Sequence, residues 1–143
     1  MAEKRRRRGF VLIAMSITML LLLAMMGLAF DFGRIYIARN EAQVFTDAAA
    51  MAAASKLDGT QAGLDKAREA VEHVPMRWNL GTKEFRNVAV EFDSTDPAKV
   101  TTVTVTAPDN SVEITFLQAV GGPKSFLVPA RASAMANPVR LTE

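Results

Sequence analysis

Apolar residues fill almost every position from Phe10 to Phe30 and then fall into spaced patterns along the rest of the chain. The first stretch, FVLIAMSITMLLLLAMMGLAF, holds no charged residue and is interrupted only by Ser16 and Thr18. As a helix rising 1.5 Å per residue it is roughly 31 Å long, the thickness of a bilayer's hydrocarbon core. Its two hydroxyls can bond back to carbonyls of their own helix. A cleavable secretory signal would have a shorter apolar run of about 7–15 residues, then a small-x-small cleavage site. Here the run passes straight into Asp31-Phe32-Gly33-Arg34, so the pattern predicts an uncleaved membrane anchor.

Beyond Gly33 the chain reads RIYIARNEAQVFTDAAAMAAASKL, without proline, and Asp58-Gly59 is the first good stop. One continuous helix from about Phe10 to about Leu57 is predicted. In its outer half Ile35, Ala38, Ala42, Phe45, Ala49 and Ala52 follow alternating spacings of three and four, the pattern of a packing seam. Ile37, Val44 and Met51 recur every seven residues on roughly the opposite side. Arg39, Asn40, Gln43 and Asp47 form a polar strip, and Glu41 interrupts the apolar side. Two explanations stand. Alanine is a good helix former that tolerates exposure. Alternatively, one face packs on the chain's own globular part and another on a partner's helix.

Thr60 is placed to cap a second helix running to about His73, with Leu64, Ala67, Val71 and Val74 as its apolar face and Pro75 as its stop. From Val88 the period changes to two. Val88/Val90/Phe92, Val103/Val105, Val112/Ile114/Phe116 and Phe126/Val128/Ala130/Ala132/Ala134 alternate, separated by the turn-rich segments 93–97 and 108–111. Residues 116–122 suggest a short helix or turn closed by Gly121-Gly122. The expected fold is α+β: a long N-terminal helix, a second helix and an antiparallel sheet of about four strands. The threonines at 101, 102, 104 and 106 are expected on the exposed face of a strand.

Charge adds an orientation. Of a net +2 for 143 residues, residues 1–8 carry +4 through Lys4, Arg5, Arg6, Arg7 and Arg8 against Glu3, and residues 9–143 sum to −2. The basic cluster should stay in the cytoplasm, with residues 31–143 on the far side of the membrane. The main domain has no basic surplus to support nucleic-acid binding. There is no cysteine and one histidine, His73, better placed as a helix-end group than as a ligand. No nucleotide-binding, hydrolase, zincin or calcium-loop motif occurs. The sequence therefore gives no reason to expect an enzyme, a cofactor, a metal or a small-molecule substrate.

Arg8-Gly9 opening the apolar helix, then Asp31-Phe32-Gly33-Arg34-Ile35-Tyr36, then Gln43-Val44-Phe45-Thr46-Asp47-Ala48-Ala49-Ala50 resembles the TadE/TadG-like proteins. These are minor pilin-like, or pseudopilin-like, components of the bacterial tight-adherence (Tad, or Flp) pilus assembly system. The resemblance covers residues 8–54, with a looser fit in the strands. Processed members carry a glutamate five residues after the glycine, whereas Ala14 stands there here. Cleavage after Gly9 is therefore not expected, and the chain is more TadG-like.

The resemblance implies a mechanical role. A cytoplasmic stub (1–9), a transmembrane helix (10–30), its extramembrane continuation (31–57) and an α+β head (58–143) would sit in the bacterial inner membrane and meet lipid and other pilus components. The seam residues Ala42, Phe45, Ala49 and Ala52 are the expected assembly surface. Asp31 is expected to meet a basic group on a neighbouring subunit, or else to form a plain surface pair with Arg34. A membrane-tethered periplasmic binding module unrelated to pili is the alternative.

Overall fold

The computed structural model describes residues 2–74 and 88–136, and for residues 2–8 and Asp109 the backbone alone. The first helix, α1, runs unbroken over Ala2–Ala54, about 80 Å at helical rise. It ends in a tightening turn: Lys56 and Leu57 donate to the carbonyls of Ala53 and Ala54, and Gly59 takes the left-handed conformation at φ +80°. Asp58 Oδ1 then accepts from Thr60 N (2.9 Å) and Thr60 Oγ1 (2.6 Å). Thr60 in turn accepts from Gly63 N (3.0 Å) as N-cap of α2, Gln61–Glu72. Asp58 lies so close to Gly63 that a Cβ there would collide with its carboxylate. His73 closes α2, its Nδ1 2.8 Å from the Glu69 carbonyl. Pro75 lies outside the described residues.

Three strands form an antiparallel sheet in the order β1 (Ala89–Phe92), β2 (Thr102–Glu113), β3 (Ser125–Met135). The α+β class is as expected, and the four alternating runs resolve into three strands among the described residues. Pro108-Asp109-Asn110-Ser111 does not break β2; it is absorbed as a bulge. Ala107 pairs with Ala130 and Asn110 with Val128, so two residues of β2 oppose one of β3. Pro108 and Pro129, which have no N–H to give the ladder, both fall in that gap. The 93–101 connection is the true turn. Asp93 accepts from Thr101 N (3.0 Å) and Thr101 Oγ1 (2.7 Å), and a 3₁₀ turn at Pro97–Lys99 is capped by Asp96. A four-residue helix, α3 (Phe116–Ala119), fills the β2–β3 connection, with Gly121 at φ +87°.

The β2–β3 hairpin lies along α1. Twelve residues of β2 reach about 40 Å, as does α1 from Gly27 to Ala54. Between them lies the core: Ala38, Ala42, Phe45, Ala49, Ala50, Ala53 and Ala54 from α1 against Val103, Val105, Ala107, Val128, Ala130 and Ala132 from the sheet. Ala67 and Val71 of α2 close its far end. With alanine on one side and valine or alanine on the other, few side-chain atoms separate helix from sheet, and Phe45 is the single large insertion on the helix side. Thr46, fully buried, donates back to the Ala42 or Gln43 carbonyl (3.2 and 3.0 Å), so its hydroxyl is satisfied. The threonines at 102, 104 and 106 line the other sheet face, half-buried; Thr104 Oγ1 meets Ser133 Oγ across the strands at 2.8 Å.

Candidate functional site: the two faces of α1 and the clamp at its apolar end

The charge that ends the apolar run is turned inward. Asp31 is 2% exposed. Its Oδ1 accepts from Thr115 N (3.1 Å), and its Oδ2 accepts from Phe116 N (2.8 Å) and Leu117 N (2.6 Å). These N–H groups open α3, where the first turn of a helix has no internal acceptors. Thr115, at the cap position, makes no side-chain bond to them. A carboxylate 84 residues away in sequence does that work. Burial pushes the Asp31 carboxyl up, but the three backbone N–H groups, with Arg34 adding a smaller positive field, outweigh it and hold it below its ordinary value.

One turn below, Gly27 accommodates Phe116. A Cβ at Gly27 would lie 2.7–2.8 Å from the Phe116 side chain. The Phe116 ring meets Phe30 edge to face at 5.8 Å, with the planes 79° apart. Gly27, Asp31, Ala38, Ala42, Phe45, Ala49 and Ala53 thus make one continuous covered face of α1.

Within the chain, Asp31 and the seam both have partners of their own. The Asp31 carboxylate is engaged by the chain's own head, leaving its oxygens bonded to backbone rather than held out to a neighbour. The seam at Ala42, Phe45 and Ala49 is buried against the chain's own sheet, while Arg34 and Ala52 are half-buried at its margin. Ala53 replaces Ala52 at the centre, because a spacing of alternating threes and fours has a period of 3.5 and drifts from a straight helix of 3.6 by roughly 20° per heptad. The backbone of Lys4–Arg8 lies within α1.

The opposite face is open. Ile37, Val44 and Met51 are 45%, 61% and 63% exposed, and Tyr36 lies out as well. The polar strip divides the two faces. Gln43 Nε2 donates to Asp47 Oδ1 (3.0 Å) and to the Arg131 carbonyl (3.3 Å), tying the strip to the edge of β3. Sequence reasoning missed Gly27 and the capping role of Asp31. The only local signal for either was a charge and a small residue on the same side of the helix as the seam.

A long helix, apolar over its first half and closed by a small α+β head over its second, is an architecture for anchoring and packing. Among the described residues one helix is long and apolar enough to cross a membrane, and it fits a single-pass anchor. Residues 9–56 match the family model described as "Putative Flp pilus-assembly TadE/G-like". The resemblance to the TadE/TadG-like family is borne out over that segment; the match does not separate TadG from TadE. No match was found to curated proteins or to solved structures.

Proposed function

We propose that this chain is a membrane-anchored minor pilin-like component of a Tad/Flp pilus assembly system, acting structurally rather than catalytically. The observation that carries this reading is the division of α1 within the family's own segment. The head closes one face, and the opposite face keeps Ile37, Val44 and Met51, spaced by sevens, in the open. A helix serving only its own domain needs one apolar stripe. The second stripe is available to the helix of another pilin-like subunit.

In this reading the Lys4–Arg8 cluster holds the N-terminus in the cytoplasm. The spanning helix sits in the inner membrane, and the head lies on the periplasmic or outer side. The subunit meets other assembly components through the open face of α1 and through the head. The test is recovery of other pilus components with the full chain from detergent extracts, comparing wild type with Val44→Glu. Loss of partners from a normally folded variant supports the reading; undiminished recovery overturns it. A phosphatase fused after Glu143 should be active only if the head is outside.

A further inference from the structure

The β2–β3 connection reaches below the end of the apolar helix segment. Phe116 packs against Gly27 and Phe30, and both belong to the membrane run. Asp31, one residue beyond that run, holds α3 by three backbone bonds. The tip of the head is therefore pinned at the level of residues 27–31, not raised above it. Its composition suits that level. Between Glu113 and Ser125, which pair at the base of the β2–β3 hairpin, the only charged residue is Lys124. Phe116 and Val120 are 47% and 69% exposed. On α1 at the same height, Met26 and Phe30 are exposed as well. Through Phe116 the exposed apolar side chains of the loop adjoin the exposed apolar surface of the helix.

We infer that the α3 connection, residues 115–124, is a second membrane contact of the head. Phe116 and Val120 enter the boundary between acyl chains and headgroups beside the spanning helix, and Lys124 reaches the lipid phosphates. The occupant of this patch is lipid. Burial of apolar side chains at the boundary is favourable, and a lysine stem can lie along the apolar zone while its ammonium stays at the headgroups. The Asp31 clamp makes the arrangement compatible with low polarity: the carboxylate enters that zone with three of its acceptor sites already filled by N–H groups, and the N–H groups of α3 do not face lipid unbonded. Two points of attachment, the helix and the loop, would fix the tilt of the head relative to the bilayer and so the direction in which Ile37, Val44 and Met51 face.

The inference rests on the membrane-anchor reading, and the test separates the two. The chain has no cysteine, so single cysteines introduced by Val120→Cys, Leu21→Cys and Ser55→Cys can each carry one environment-sensitive fluorophore. The full chain is reconstituted at one copy per nanodisc of phosphatidylcholine and phosphatidylglycerol. Quenching is measured with nitroxide-bearing lipid and with aqueous iodide. The label at Leu21, mid-span, should be quenched by lipid nitroxide. The label at Ser55, at the far end of α1, should be quenched by iodide. The label at Val120 should lose most of its emission to a lipid with its nitroxide near the headgroup and be largely protected from iodide. If Leu21 reports lipid while Val120 behaves like Ser55, the loop contact is overturned and the anchor stands. If Leu21 is open to iodide, the anchor reading fails and the loop contact falls with it. Protection of Val120 from iodide without quenching by lipid nitroxide means that protein covers the loop, and this also overturns the inference.

Discussion

The two faces of the outer half of α1 are both apolar and have opposite fates. Ala42, Phe45, Ala49 and Ala53 lie at 0–6% exposure under the sheet, whereas Ile37, Val44 and Met51 face outward with nearly half or more of their surface free. Phe45 apart, the bulkier apolar side chains are on the open face. Were hydrophobicity alone to choose the core, isoleucine, valine and methionine would be inside. Close approach decided otherwise. The sheet offers a surface of valine and alanine, and only a helix face of small residues lets the two backbones come near enough to fill the space between them. The lesson is that the alanine row makes the fold and the larger residues are left for something else.

The sharpest way to break the comparison is a charge on each face. Ala49→Glu places a carboxylate in a fully covered site and should destabilise the full chain in detergent by on the order of 4 kcal/mol, read from thermal melting. A wild-type melting temperature for this variant would mean that the covered face is not a core.

Further down the same face, Gly27→Ala should drive a methyl group into the Phe116 side chain and cost about 1–3 kcal/mol. The contact lies near the root of the ring, where a small rotation gives little relief. The same melt measures it, and loss of the Phe30–Phe116 ring contact should appear as shifted aromatic resonances.

Asp31→Asn should lower stability less than Ala49→Glu does. An amide keeps one acceptor oxygen and turns an NH₂ group toward an N–H of α3. The carboxylate also sets a pH dependence. Asp31, Asp58 and Asp93 all have carboxyls held below the ordinary value. For Asp31, burial acts upward but the backbone donors at Leu117, Thr115 and Phe116 prevail; for Asp58 and Asp93 the side-chain hydroxyls of Thr60 and Thr101 are the leading causes. The stability they contribute is fully present above the unfolded carboxylate pKa and is lost as pH falls through the lowered folded values. Melting temperature should therefore hold through neutral pH and drop below about pH 4. The drop should be shallower in Asp31→Asn. An unchanged acid limb would remove Asp31 from the explanation.

The smallest expected effect on folding, and the largest on assembly, belongs to Val44→Glu. It sits on the open face and should leave melting within about 0.5 kcal/mol of wild type. It should nevertheless abolish recovery of partners. It is a cleaner partner for Ala49→Glu than Gln43→Glu would be, because Gln43 donates to Asp47 and to the Arg131 carbonyl. A glutamate there would lose both bonds and face a like charge.

The amino-acid sequence by itself determined the elements whose cause is local. Twenty-one uncharged residues make a helix long and apolar enough to cross a bilayer, the lack of proline carries that helix onward, Asp58-Gly59 with Thr60 ends it and starts α2, and period-two runs make strands. It also marked both stripes on α1, since spacing alone puts residues on a face. Which stripe would be covered by the chain itself depended on the shape of a sheet surface formed later in the chain, by residues 103–132. The continuity of β2 through Pro108 was decided by Pro129 on the opposite strand, because one bulge could absorb both missing donors. The fate of Asp31 was least legible. A carboxylate after an apolar run reads as an exposed end or as a charge awaiting a partner. Only the tertiary structure, by setting the first N–H groups of a four-residue helix against it, made it an internal cap. A hydrogen bond has no sequence range of its own, and the donors and the acceptor are local to each other only once the chain has folded.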